Sequence, residues 1–478
     1  MGTDSESRTI AIIGGGFTGA ATALHVLKRS AGQTLPIVIF EPRPSLGPGL
    51  AYGTSDPAHR INVPAGKMTL HPDKPESFLD FLAENRVAVD DAHLQGRDGL
   101  PYARRADFGR YVAGEIAPYV ETGAIRHVRD TVTAIKNDGN GWRVTTSEGT
   151  SLSAAAIVIA TSHPAPHLPR ELQAFAGDTR IIADATQADA LVTIRPADPV
   201  LIVGNGLTSA DVIASLTASG HHGPIHAISR RGLRSRGHNR VAQEPFGTFI
   251  DPPSRTALHL LRRIRETIRT AATADIGWQA VIDAVRAEGR RIWQALPVGE
   301  RRKVVRHLRP YWDVHRFRIA PQVDDVLEAA IANGRLTVEA ASIGTVENNG
   351  DDLRVTLRRR GTREPHALTV RHIVVTTGPA HGSILQSQPF LANLEAEGLL
   401  TLCDTGLGIA CDTRSVAISA KGRAVEGLFI AGPLARGTFG ELMGLPQVTE
   451  NAELVAEGLL AHLAVQQDHE PAPLKSVG

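Results

Sequence analysis

Residues 8–30 read RTIAIIGGGFTGAATALHVLKRS. A β-branched apolar run, Ile10 to Ile13, ends in three glycines, and an Ala/Leu-rich stretch with helical spacing follows. A second apolar run, IVIFE, closes at Glu41. Strand, glycine turn, helix and strand in this order, over about 30 residues, predict a βαβ unit with parallel strands. The turn carries Gly14-x-Gly16-x-x-Gly19, with Gly15, Phe17 and Thr18 between. Gly14 permits the tight turn, Gly16 lets backbone approach a pyrophosphate, and Gly19 lets the helix pack close to the strand. The free N–H groups at the helix start suit a phosphate. Glu41 lies 22 residues after Gly19, where a carboxylate accepts from ribose hydroxyls.

The same pattern recurs at residues 198–220, DPVLIVGNGLTSADVIASLTASG, followed by the strand PIHAIS. Its turn is Gly204-Asn205-Gly206-Leu207-Thr208-Ser209, with Ser209 in place of the third glycine. The second strand ends in Ser229-Arg230-Arg231, without an acid. Two guanidiniums at this point suit a 2′-phosphate through bidentate contacts, which favours NADP over NAD.

The remaining sequence narrows the class. The chain has 478 residues, 42% hydrophobic and 21% charged, enough for a sizeable core in two to four domains. With a net charge of +1, no global field points to nucleic acid or a membrane. Charge is uneven, however: residues 225–319 hold 20 Lys plus Arg against 8 Asp plus Glu. Two cysteines exclude a disulfide scaffold. No signal peptide and no apolar run of membrane-spanning length is visible, so the expected setting is cytoplasmic. The 19 histidines show no metal-ligand spacing, and no metal site is expected.

Apolar strands close at Thr161, Gly378 and Gly432, and a helix follows Leu445. Period-3.6 patterns such as RTALHLLRRIRETIRTAA dominate residues 255–333. The expected fold is α/β: two Rossmann-like dinucleotide-binding domains, the second inserted in the first, with a helical insertion. The first, FAD-binding domain takes residues 1–165 and 372–465. The second, NADP-binding domain takes 166–371 and contains the insertion at about 255–322. Residues 466–478 are expected to be a flexible tail.

Two dinucleotide units in one chain resemble the large FAD/NAD(P) two-domain oxidoreductases. More closely, the sequence resembles a bacterial FAD/NAD(P)-binding family related to the class B flavin monooxygenases of flavin-containing or N-hydroxylating type. The residues that carry this are GGGFTGAATAL, GLAYGTSDPAHRINVPAGKM, ATSHPAPHLP and AGPLARGTFGELMGLPQVTENA. The resemblance implies FAD at the first turn and NADPH at the second. It implies a monooxygenase acting on a heteroatom, N or S, of a small molecule through a C4a-(hydro)peroxyflavin, with molecular oxygen as co-substrate. The alternatives are an NADPH-dependent flavin reductase without oxygen insertion, or a non-enzymatic redox or nucleotide sensor. Asn62, in RINVPAGKM, is the candidate catalytic residue, supporting the oxygenated flavin. Met68 is a candidate to pack on the isoalloxazine. Thr161, Gly378, Gly432 and Leu445 complete the cofactor-contact set. Oligomeric state is unreadable.

Departures from related families are informative. Cys403 and Cys411 are eight apart and match neither redox pair of the disulfide reductases. Of the Baeyer–Villiger signature only Phe175-x-Gly177 remains, since its His position is Ile181 and its aromatic position Ala185. Where a Gly-Asp pair often meets the ribityl phosphate, this chain has Gly432-Pro433.

Overall fold

The computed structural model describes residues 8–469 except 31, 33, 34, 140 and 363. Two parallel-cored sheets organise it. In the first, the strands run in the order Val416–Ile418, Ala424–Ile430, Ala156–Ile159, Ile10–Ile13, Ile37–Phe40, Ile125–Val128. Every pair is parallel except the first. Ile10–Ile13 is buried along its whole length, which explains an unbroken apolar run rather than an alternating one. It lies between Ile37–Phe40 and Ala156–Ile159, so its C-terminal end opens at the point where the strand order reverses.

The second sheet has the order Pro365–Val370, Asp352–Arg359, Leu336–Asn349, Ile225–Ser229, Val200–Val203, His372–Val375, Ile181–Ile182. Its switch point is Val200–Val203, flanked in parallel by Ile225–Ser229 and His372–Val375. The fold is therefore α/β, with two Rossmann-like units. A small antiparallel sheet of Val132–Asn137, Trp142–Thr146 and Ser151–Ala154 pairs with neither and packs into the core of the first.

Several boundaries differ from expectation. The strand His372–Val375 belongs to the second sheet, so the chain returns to the first only after Val375, not at 372. Sequence alone could not separate these choices, because every buried parallel strand reads as the same short apolar run. The edge of the second sheet is an antiparallel meander, Leu336–Asn349 to Pro365–Val370, that the turn-and-helix pattern did not announce. Of the stretch expected as a tail, residues 466–469 belong to the helix Gln447–His469. Residues 470–478 lie outside the described residues.

The stretch expected as a helical insertion holds five α-helices between Ala257 and Arg316, among them Trp278–Ala287, Gly289–Ala295 and Arg309–Arg316. They form a small core of their own around Phe249, Val281 and Leu296. Buried polar ties fasten them to the first unit. Trp293 Nε1 donates to the Gly437 carbonyl (2.8 Å), Arg316 pairs with Glu441 (2.6 Å), and Arg286 donates to the Leu445 carbonyl. The next helix, Pro321–Ala332, packs on Leu207–Ala218 and leads into Leu336–Asn349 as a crossover of the second sheet.

Candidate functional site

At the first turn Gly14 has φ +104°, a region closed to most side chains. A Cβ there would stand 2.7 Å from the Ala160 carbonyl oxygen, on the adjoining strand. A Cβ on Gly19 would collide with the Gly14 carbonyl, which explains why glycine is needed where the helix leaves. Gly16 faces outward, and a Cβ there would meet only Gly49, at 3.4 Å. The backbone is therefore bare and accessible at the one position where a pyrophosphate has to approach. The Phe17 ring turns away to stack on Phe108 (5.8 Å) and meet Tyr52 edge-on (6.3 Å). Thr18 is buried under Gly432, whose N–H donates to Asn451 Oδ1 (2.7 Å). Glu41 is buried at the end of its strand; it accepts from the Gly15 N–H (3.0 Å) and from Arg43. It thus holds the turn in shape and keeps lone pairs for a further donor. Thr161 adjoins Gly14, and its Oγ1 is buried without a hydrogen-bond partner among the described residues.

The second turn repeats the geometry. Gly204 has φ +121° and backs onto the Thr376 carbonyl, while Gly206 has open space around it. Leu207 and Thr208 begin the following helix, and the buried Ser209 fits the third-glycine position. Asn205 Nδ2 donates to Ser229 Oγ (3.3 Å), leaving Asn205 Oδ1 buried and unpartnered. Arg230 is exposed, and Arg231 lies over the Tyr311 ring (5.7 Å). Among the described residues neither has a carboxylate within ion-pair distance, whereas nearby Arg234 is paired with Asp324 and Glu328. Gly378 follows the strand next to Val200–Val203, so it stands with the second turn rather than the first.

A partly open cleft lies away from the first turn. It lies beside Asn62 and Lys67 of the first unit, facing His238, Asp283 and Arg286 of the second. The Asn62 carboxamide makes no hydrogen bond among the described residues; its backbone carbonyl instead accepts from His238 Nε2 (2.9 Å). A loop-capping role for the Asn62 side chain therefore has no partner in the structure. Burial, with Arg318 and Lys67 nearby, pushes His238 down to about 3, so the ring is neutral and its donor is committed to Asn62. Burial also lowers Arg286 to about 9. Arg318 pairs with Asp283, and Asp98 accepts from Tyr102 Oη (2.8 Å). Met68 is 3% exposed, part of the core rather than of the cleft wall. Leu445 is likewise buried, and its functional atom is its carbonyl, tied to Arg286.

Residues 11–164 match the family model described as FAD-NAD(P)-binding. The comparison with curated proteins finds no match. Solved structures superpose over nearly the whole chain. An ornithine hydroxylase from Pseudomonas aeruginosa gives a TM-score of 0.66 at 16% identity, covering 95% of this chain and 99% of that one. L-lysine 6-monooxygenase from Pseudomonas syringae gives 0.62 at 20%, covering 96% and 99%. A cadaverine monooxygenase from Erwinia amylovora gives 0.56 at 13%, covering 95% and 94%. At these identities the likeness establishes a shared fold.

Sequence reading missed one cluster. His163, His381, Arg309, Asp313 and Arg436 converge from four separate stretches of chain. Burial is the main cause that lowers His163 to about 4 and His381 to about 3, raises Asp313 above the usual carboxylate range and lowers Arg436. The one sequence signal was the basic excess of residues 225–319, which includes Arg309 but does not single it out.

Proposed function

We propose that this chain is an FAD-dependent, NADPH-using monooxygenase that hydroxylates a nitrogen of a small-molecule amine, with molecular oxygen as co-substrate. The observation that carries the reading is a pair of bare glycine turns, each at the switch point of its own parallel sheet, together with a cleft between the two units that Asn62 helps to line. Support comes from structures of the same fold that are named as an ornithine hydroxylase, a lysine monooxygenase and a cadaverine monooxygenase. The two free thiols suit a cytoplasmic setting.

The residues fit the two dinucleotides. The N–H groups following Gly16 take the FAD pyrophosphate, and Glu41 accepts from a ribose hydroxyl with the lone pairs that Gly15 and Arg43 leave unused. Arg230 and Arg231, unpaired among the described residues, take the 2′-phosphate of NADPH. When bound, FAD supplies hydride acceptance and oxygen activation. The free Asn62 carboxamide would donate a hydrogen bond toward substrate or oxygen held in the cleft.

The test follows NADPH oxidation by the purified FAD-loaded protein across a panel of amines, with product analysis. Expected is amine-stimulated NADPH oxidation matched by a hydroxylated product. NADPH oxidation that yields only hydrogen peroxide with every amine would overturn the reading in favour of a reductase.

A further inference from the structure

The segments that back the two glycine turns run toward one another. Ala160 and Thr161 stand against Gly14 in the first unit. Thr376 stands against Gly204 in the second, its Oγ1 donating to the carbonyls of Val203 (3.2 Å) and Gly204 (3.1 Å). A few residues further on they meet, where the rings of His163 and His381 stand edge to face with centroids 4.7 Å apart. The helical insertion reaches the same point with Arg309, whose Nη2 donates to His381 Nε2 (2.9 Å) and whose Nε donates to Asp313 (3.2 Å). From the first unit comes Arg436, 3.8 Å from Asp313 Oδ1.

This junction is unsatisfied in a particular way. Both nitrogens of His163, His381 Nδ1, Thr161 Oγ1, Arg436 Nε and Asp313 Oδ1 are buried with no hydrogen-bond partner among the described residues. Arg436 is 4% exposed, yet its guanidinium donates no hydrogen bond there at all. Because His381 Nε2 accepts from Arg309, the proton of that ring is on Nδ1, one of the unpartnered atoms. The set thus includes the unpartnered donors His381 Nδ1 and Arg436 Nε and, with two guanidiniums against one carboxylate, is positive. Buried donors without partners are costly, and two guanidiniums that share one carboxylate are under-compensated, so such a set suits an acceptor-rich or anionic group.

We propose that His163, His381, Arg309 and Arg436 receive the nicotinamide–ribose half of NADP(H), whose carboxamide, hydroxyl and phosphate oxygens supply the acceptors. The inference rests on the NADPH reading above. It divides the dinucleotide between two sites: Arg230 and Arg231 hold the adenosine 2′-phosphate end, and the linker junction holds the end that must face the flavin.

Two ligands separate the sites in calorimetric titrations of the FAD-loaded protein, with no turnover. 2′,5′-ADP carries only the adenosine end, and NADP⁺ carries both. Arg436→Gln should weaken NADP⁺ by about 10- to 100-fold, the loss of a charged hydrogen bond, and leave 2′,5′-ADP within about twofold. His381→Leu, at a half-buried position, should act in the same direction and decides the matter if Arg436→Gln fails to fold. Arg230→Ala should weaken both ligands together. Unchanged NADP⁺ affinity in the folded variants, or equal loss of both ligands, would overturn the proposal while the NADPH reading stands. If the unmutated protein binds neither ligand, the NADPH reading falls and this site falls with it.

Discussion

Asn62 shows how much a single side chain's role depends on what its neighbours already hold. Its loop is fixed through the backbone carbonyl, by His238, so the carboxamide is free for chemistry rather than for the fold. Asn62→Ala is therefore expected to leave the melting temperature and flavin reduction by NADPH nearly unchanged. It should cost about 10²–10³ in product formation, the usual loss for one preorganised donor. The measurement is the ratio of hydrogen peroxide to hydroxylated product; an unchanged ratio with a lowered melting temperature would assign Asn62 to structure. Residues of this kind were legible only through resemblance, because nothing local in RINVPAGKM distinguishes a capping amide from a free one. Glu41 was legible on physical grounds, since strand end and acid coincide, but its second task of bracing Gly15 was not. His163, His381 and Arg436 were invisible, being joined only by folding across more than 200 residues between the first two.

At the scale of elements, the two glycine turns were readable because steric demands force glycine at the first two motif positions each time, Gly14 and Gly16 in one and Gly204 and Gly206 in the other. The demands differ between positions, and this gives a paired expectation. Gly19 touches the Gly14 carbonyl, so Gly19→Ala should push the helix Phe17–Arg29 off its strand. We expect a loss of about 1–3 kcal/mol in stability, with poor flavin retention. Gly206 has φ −89° and open space, so Gly206→Ala should keep the melting temperature and raise the KM for NADPH, because the methyl enters the path of the pyrophosphate. Thermal melts beside steady-state kinetics check both, and equal melting losses in the two variants would contradict this assignment of roles. The meander Leu336–Val370 and the membership of His372–Val375 were not legible. Strand partners are chosen by packing and register, and a short apolar run is compatible with either sheet.

Across the whole molecule, buried imidazoles set the acid limit. Burial is the main cause that holds His25 and His163 at about 4 and His238 and His381 at about 3, all below the ordinary 6.5. The folded protein keeps them neutral while the unfolded chain takes up protons below pH 6.5. Their stabilisation is thus complete above that value and is lost as pH falls toward 3–4. By pH 5 each is expected to cost up to about 2 kcal/mol, seen as a falling urea midpoint between pH 7.5 and 5. A midpoint flat over that range would show that these rings are solvated. The interleaving of the two sheets has a separate consequence during synthesis. Ala156–Ile159 leaves the ribosome early, but its neighbour Leu428–Ile430 follows only after roughly 270 further residues, on the order of tens of seconds of translation. Every strand of the second sheet has been made by Val375, so that sheet can close while the first still shows an unpaired apolar edge to the crowded interior of the cell. The nascent chain is therefore most exposed to aggregation in the interval before Leu428–Ile430 appears, and a pause or truncation there would strand the first sheet half built.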